Sequence, residues 1–162
     1  MNRAVKEAVR ALIPMGAVLA FDRLTKAWAA KDLIGKGRVS AIDGILGWRY
    51  AENTGVAFGA FAGSGTAVCV LTGLLILAAI GYLFYRRPRS EWMRWGLYFI
   101  ISGGIGNLYD RVFRGFVVDF IELLFVRFAI FNVADVAVVA GCTCLVIGIL
   151  RAEGNGHNGS EG

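Results

Sequence analysis

The sequence predicts an all-α polytopic membrane protein, a single membrane domain over residues 1–162. Three observations carry that expectation. The chain is 57% hydrophobic, above the roughly 45–50% of ordinary soluble domains. Its mean hydropathy is +0.61, and several apolar runs approach the roughly 20 residues a spanning helix needs. Glycine, at 22 residues, is about twice its usual share, which suits helices that approach one another closely in a bilayer.

The first element is a helix over about 8–28. Arg3, Lys6 and Arg10 precede an apolar run from Ala11 to Phe21, a pattern shared with signal peptides. Asp22, Arg23 and Lys26 interrupt the run before any cleavage-like site, so the helix is read as uncleaved. Asp22 and Lys26 are four apart and can pair along one face. Asp22 is then either an ion-pair residue at the outer boundary or a residue at the edge of a site.

Residues 30–65 mix charges with β-prone runs at Arg38–Ser40, Ile45–Tyr50 and Val56–Phe61, punctuated by glycines. That reads as short strands and turns forming a small sheet on the membrane surface. Trp48 and Tyr50 suit an interface. Residues 66–85 are the clearest span, about 20 residues without a charge, and Arg86, Arg87 and Arg89 form a basic turn after it. A third span covers about 92–109. Residues 110–127 are charged and aromatic, with an amphipathic look from Phe116 to Phe125, and a fourth span covers about 130–150. Residues 152–162 read as a disordered tail, and the lone histidine, His157, sits there without a role.

The basic residues beside the spans put the amino terminus and the 86–94 turn in the cytoplasm. Four spans return the carboxyl terminus to the same side. Asp22, Asn53, Asn107, Arg111, Asp119 and Asp135 then converge toward the outer leaflet. The net charge of +5 is spread beside apolar runs rather than on a soluble face, which speaks against nucleic acid. Cys69, Cys142 and Cys144 lie in apolar runs and read as small hydrophobes.

Ionisable groups inside apolar runs are costly and point to function. Asp135 lies some seven residues into such a run, about 10 Å along a helix axis. Asn107 and Arg111 share a helical face, as do Asn132 and Asp135. Three chemistries fit these residues. They can lock helices together, they can line a proton or ion path in a transport or binding protein, or Asp119 and Asp135 can share one proton and activate water for peptide hydrolysis. With no HExxH, no GxSxG and no histidine outside the tail, metal-dependent and serine hydrolase readings lack their residues, and no metal or cofactor is expected.

Four blocks carry a resemblance: FDRLTK (Phe21–Lys26), NTGVAFG (Asn53–Gly59), GGIGNLYDRVFRGFVVDF (Gly103–Phe120) and FNVAD (Phe131–Asp135). In order and spacing, over about residues 8–150, they resemble the lipoprotein signal peptidases, the signal peptidase II family. The resemblance implies four transmembrane helices with a small extracytoplasmic β-sheet cradle and a short amphipathic periplasmic helix, matching the readings of 30–65 and 116–125. It implies an aspartyl endopeptidase of the bacterial cytoplasmic (inner) membrane, cutting prolipoproteins before the lipid-modified cysteine. It implies catalytic Asp119 and Asp135, substrate-pocket residues Asn53, Asn107, Arg111 and Asn132, and structural support from Asp22, Asp110 and Gly59. It further implies a lipidated prolipoprotein and membrane lipids as partners, inhibition by globomycin, and a monomer.

Overall fold

A computed structural model describes residues 2–55, 65–88 and 90–157. Four helices enclose the chain's polar centre: α1 (Arg3–Asp32), α2 (Gly65–Arg86), α3 (Glu91–Arg114) and α4 (Val133–His157). Three short strands form one antiparallel sheet: β1 (Val39–Ile42), β2 (Leu46–Asn53) and β3 (Val117–Leu123), in the order β1-β2-β3. Helix α3 is the hub, packing on α1, α2 and α4.

The α3–α4 seam is built from glycines. A Cβ on Gly141 would stand 2.7 Å from the Gly96 carbonyl oxygen and 2.9 Å from the Ile100 nitrogen. A Cβ on Gly103 would collide with the Ala134 carbonyl oxygen. Small residues let these two backbones touch, as packed membrane helices require. Opposite faces are apolar and open. Leu71, Leu74, Leu75 and Leu77 of α2 and Val136, Val139 and Val146 of α4 are exposed. Two helical stretches, Gly65–Arg86 and Val133–Ala152, are long and apolar enough to cross a membrane. In α1 and α3 the apolar runs carry Asp22, Arg23, Lys26, Asp110 and Arg111, which lower their hydropathy.

The sheet begins after two left-handed glycines, Gly35 and Gly37, release the chain from α1. Asp43-Gly44 turns the β1–β2 hairpin, with Gly44 at φ 70°. The sequence predicts the whole sheet within 30–65 and a helix at 116–125. The structure corrects this: Val117–Leu123 is β3, paired with β2 in the register Ala51↔Asp119 and Asn53↔Val117. The segment VVDFIEL is rich in β-branched and aromatic residues, and an open edge on β2 decides in favour of a strand. One face of β3, Val118 and Phe120, packs on Ala29 and Leu33 at the end of α1, with Trp48 and Tyr50 against it. Trp48 is thereby part of a core and meets Trp28 edge-on at 5.7 Å.

Other boundaries also move. Helix α3 continues to a left-handed cap at Gly115, so Asp110 and Arg111 are helical residues and not part of a connection. Helix α4 runs on to His157, past the expected start of a disordered tail at 152. The expected strand Val56–Phe61, and Gly59 with it, lies outside the described residues.

Gly141→Ala is expected to lower stability by about 1–3 kcal/mol, because backbone atoms cannot yield as a side chain can. Gly73→Ala, where a Cβ meets nothing within 4 Å, is the control and stays within about 0.5 kcal/mol. Thermal unfolding in detergent reads both.

Candidate active site

The site forms where the start of α4 meets α1, α3 and β3. Helix α4 begins with a reciprocal cap. Asn132 Oδ1 accepts from the Asp135 backbone N–H at 3.0 Å, and Asp135 Oδ2 accepts from the Asn132 N–H at 3.1 Å. This is the capping-box arrangement, with Asp135 at the third helical position, where a negative charge suits the helix dipole. The next orphan donor, the Ala134 N–H, is satisfied from α1 by Asp22 Oδ1 at 3.1 Å.

Asp119 reaches the same place from the sheet. Its neighbours Val118 and Phe120 face the α1 core, so alternation turns Asp119 to the opposite side. Beyond β3's outer edge, Phe131 bridges to Ile121: Phe131 N–H donates to the Ile121 carbonyl at 3.1 Å, and Ile121 N–H donates back at 2.8 Å. That bridge delivers Asn132 beside Asp119. Asn132 Nδ2 donates to Asp119 Oδ1 at 2.6 Å and to Asn107 Oδ1 at 3.1 Å. Asn53 Nδ2 donates to Asp119 Oδ2 at 2.9 Å, and Asn107 Nδ2 to Asp135 Oδ1 at 2.7 Å. Both carboxylates are thus held by amide donors, and both are bonded to Asn132.

Beneath them lies a charge cluster that the sequence reading found only in part. Lys26 is fully buried. Its ammonium lies 3.0 Å from Asp22 Oδ2, 3.0 Å from Asp110 Oδ2 and 2.8 Å from Asn107 Oδ1, which occupies its three donors. Arg23 adds bonds to Asp110 at 2.7 Å, Asp22 at 2.9 Å and the Gly106 carbonyl at 3.1 Å. Asp22 and Asp110 are thus each met by both Lys26 and Arg23, and Arg114 stands 3.8 Å from Asp110. Lys26 has no acceptor, so it fixes the oxygen of Asn107 toward itself and leaves the Asn107 amide nitrogen for Asp135. The Asp22–Lys26 spacing, and the family resemblance that pairs Asp22 with Asp110 as support, are the signals of this cluster in the sequence.

Arg111 is set apart from the carboxylates by its bonds. It donates to the Gly55 carbonyl at 2.9 Å and the Asn107 carbonyl at 3.4 Å. It nevertheless lines the same cleft, of about 600 Å³, together with Asn53 and Asp135. The remaining walls are apolar: Leu123, residues 128–131 and, along α4, Val136 to Ala140. A polar end holding a carboxylate and an apolar trough along a helix can receive an extended amphiphile. The structure therefore gathers Asp22, Asn53, Asn107, Asp110, Arg111, Asp119, Asn132 and Asp135 into one site.

Asp119 is 2% exposed. Burial, and then the charge of Asp135, push its carboxyl up to about 6, against the opposing hydrogen bonds from Asn53 and Asn132 and the charge of Lys26. Its ordinary value is about 3.9, so the folded state holds more protons between those limits. Asp119 therefore detracts from stability as pH rises through that window, and fully above it.

Two outcomes are expected. The Asp119 carboxyl titrates near 6 in the intact protein and lower in Asp135→Asn, read by carboxyl carbon NMR; an unchanged midpoint would mean that Asp135 exerts no field there. Lys26→Met leaves Asp22 and Asp110 under-compensated and costs about 3–5 kcal/mol in denaturant unfolding. Asp22→Asn combined with it loses less than the sum of the two single changes.

Comparison with known proteins gives the chain its family. The family model described as Signal peptidase (SPase) II matches residues 15–151. A lipoprotein signal peptidase of Clostridium novyi is 41% identical over 143 residues, 86% of this chain and 95% of that one. One of Streptococcus pneumoniae is 38% identical over 153 residues, 94% and 99% of the two chains. A bacterial membrane enzyme solved by the in meso method at 2.3 Å resolution superposes with a TM-score of 0.84 at 26% identity, covering 90% of each chain. With the family match spanning the four helices and the sheet, and relatives this similar over nearly their full length, the chain belongs to the signal peptidase II family.

Proposed function

We propose that this protein is an aspartyl endopeptidase that removes the signal peptide from diacylglyceryl-modified prolipoproteins, cutting just before the lipidated cysteine. The observation that carries the reading is the pair Asp119 and Asp135, both bonded to Asn132, with Asp135 lining the polar end of an apolar cleft. The names of its relatives supply the substrate class: they are lipoprotein signal peptidases.

In this mechanism the two carboxylates share one proton, because two negative charges in one buried site repel. The ionised member takes a proton from water as the water oxygen attacks the scissile carbonyl. The protonated member protonates the leaving amine as the carbon–nitrogen bond breaks. Asn53, Asn107 and Asn132 fix the carboxylate orientations, so little reorganisation is left for the transition state. Arg111 holds the loop at Gly55 against α3 and presents its guanidinium to the substrate backbone. The apolar trough along Val136–Ala140 takes the signal segment or the acyl chains.

All four helices cross the bacterial cytoplasmic membrane, with both termini in the cytoplasm and the sheet and cleft outside. Support for α1 and α3 as spans comes from the pairing of their charges with one another inside the bundle, which removes much of the cost of burying them. A globomycin-type inhibitor would compete for the same cleft.

Purified wild type should cleave a lipidated prolipoprotein peptide in detergent. Asp119→Asn and Asp135→Asn, each folded by thermal unfolding, should lose at least about 10²–10⁴-fold in turnover. A folded variant that cleaves like wild type removes that aspartate from the chemistry.

A further inference from the structure

A second cleft, of about 510 Å³, shares Leu123, Phe128 and Ala129 with the one beside Asp135. Its own lining includes Arg38, Glu122, Phe125, Val126 and Arg127. Glu122 is already engaged. Arg38 grips it with two bonds, at 2.6 and 2.7 Å, and Arg49 stands 3.5 Å away. The cleft's lining thus holds two arginines, Arg38 and Arg127, against Glu122, and Arg49 stands beside it, which leaves an excess of positive charge. Among the described residues, the Arg127 side chain makes no hydrogen bond or ion pair, and it is exposed between apolar neighbours. Phe125 is 68% exposed and Val126 47%.

Water can hydrate the exposed Arg127 guanidinium, but the apolar side chains beside it, Phe125 and Val126, gain nothing from water. Both are well served where phosphate and hydrocarbon lie a few ångströms apart. The chain puts them there, because residues 124–132 lead directly into α4, whose stretch Val133–Ala152 can cross a membrane.

We propose that this cleft binds the headgroup of an anionic phospholipid, with Arg127 and Arg38 on the phosphate and Phe125 and Val126 against the glycerol and upper acyl chains. A zwitterionic lipid is disfavoured. It brings an ammonium, and the carboxylate that lines the cleft among the described residues, Glu122, is committed to Arg38. The bound lipid also braces the segment around Phe128 and Ala129, a wall common to both clefts. The proposal does not depend on the chemistry of Asp119 and Asp135.

The test is photolabelling in vesicles of the full chain with phosphatidylglycerol or phosphatidylcholine carrying a diazirine near the headgroup, mapped by peptide mass spectrometry. Residues 124–129 should be labelled about fivefold more by phosphatidylglycerol, the scale of one cationic contact at a membrane surface. Arg127→Ala should remove most of that preference and Arg127→Lys retain most of it, with unfolding midpoints unchanged because Arg127 makes no polar contact within the described chain. Equal labelling by the two lipids, or a preference that survives Arg127→Ala, overturns the proposal. So does loss of labelling to excess soluble glycerol phosphate, which would make this a site for the free anion. Preferential labelling of the same residues by an acidic photopeptide would make it a peptide surface and also overturn it. Peptide cleavage measured in the same vesicles reports separately on the aspartate pair.

Discussion

The buried ammonium of Lys26 is the constraint on which the rest of the polar centre rests. A cation with no access to water must find an acceptor for each donor or lose several kcal/mol. Lys26 finds them on two helices: Asp22 on its own, and Asp110 and Asn107 on α3. Asp22 in turn caps the start of α4. One side chain therefore ties three helices into a single register. The glycines at 96, 103 and 141 let α3 and α4 close around that centre. The order of cause runs from backbone contact to charge pairing to the orientation of the Asn107 amide.

The two carboxylates are positioned by different means. Asp135 is fixed locally, by the cap that starts its own helix. Asp119 is fixed by sheet pairing, and it meets Asp135 only because Phe131 is stitched to β3. Asn132 stands at the junction and bonds to both. Such a centre works against stability. Asp119 is buried beside another carboxylate, and the fold offsets this with amide donors and a glycine-packed seam rather than with a countercharge placed directly on the pair. A cation bonded directly to either carboxylate would hold it ionised, whereas amide donors leave it free to take a proton.

Polar and apolar surfaces are correspondingly segregated. The helices turn leucine and valine outward, while Asp22, Lys26 and Asp110 of α1 and α3 are paired in the interior. Both clefts open at the junction of the sheet with α4, where the wall formed by Phe128 and Ala129 is common to them. The sheet is thus a platform as well as the carrier of Asp119.

Sequence alone determined which residues are out of place in apolar runs: Asp22, Asn107, Asp110, Arg111, Asp119, Asn132 and Asp135 all stand out because hydrocarbon tolerates such groups only when they are paired or used. It also picked out two stretches long and apolar enough to cross a membrane and the general region of two of the three strands, since hydropathy and glycine punctuation are local signals. It could not determine that Val117–Leu123 is a strand, because VVDFIEL satisfies either an amphipathic helix or an edge-paired strand, and only the neighbouring β2 chooses. Nor could it find the bond between Lys26 and Asp110, residues 84 positions apart, or the role of Asn132 as the link between two carboxylates. Those are decided by tertiary structure, because a buried charge is satisfied by whichever groups the packing brings to it, and chain distance carries no information about that.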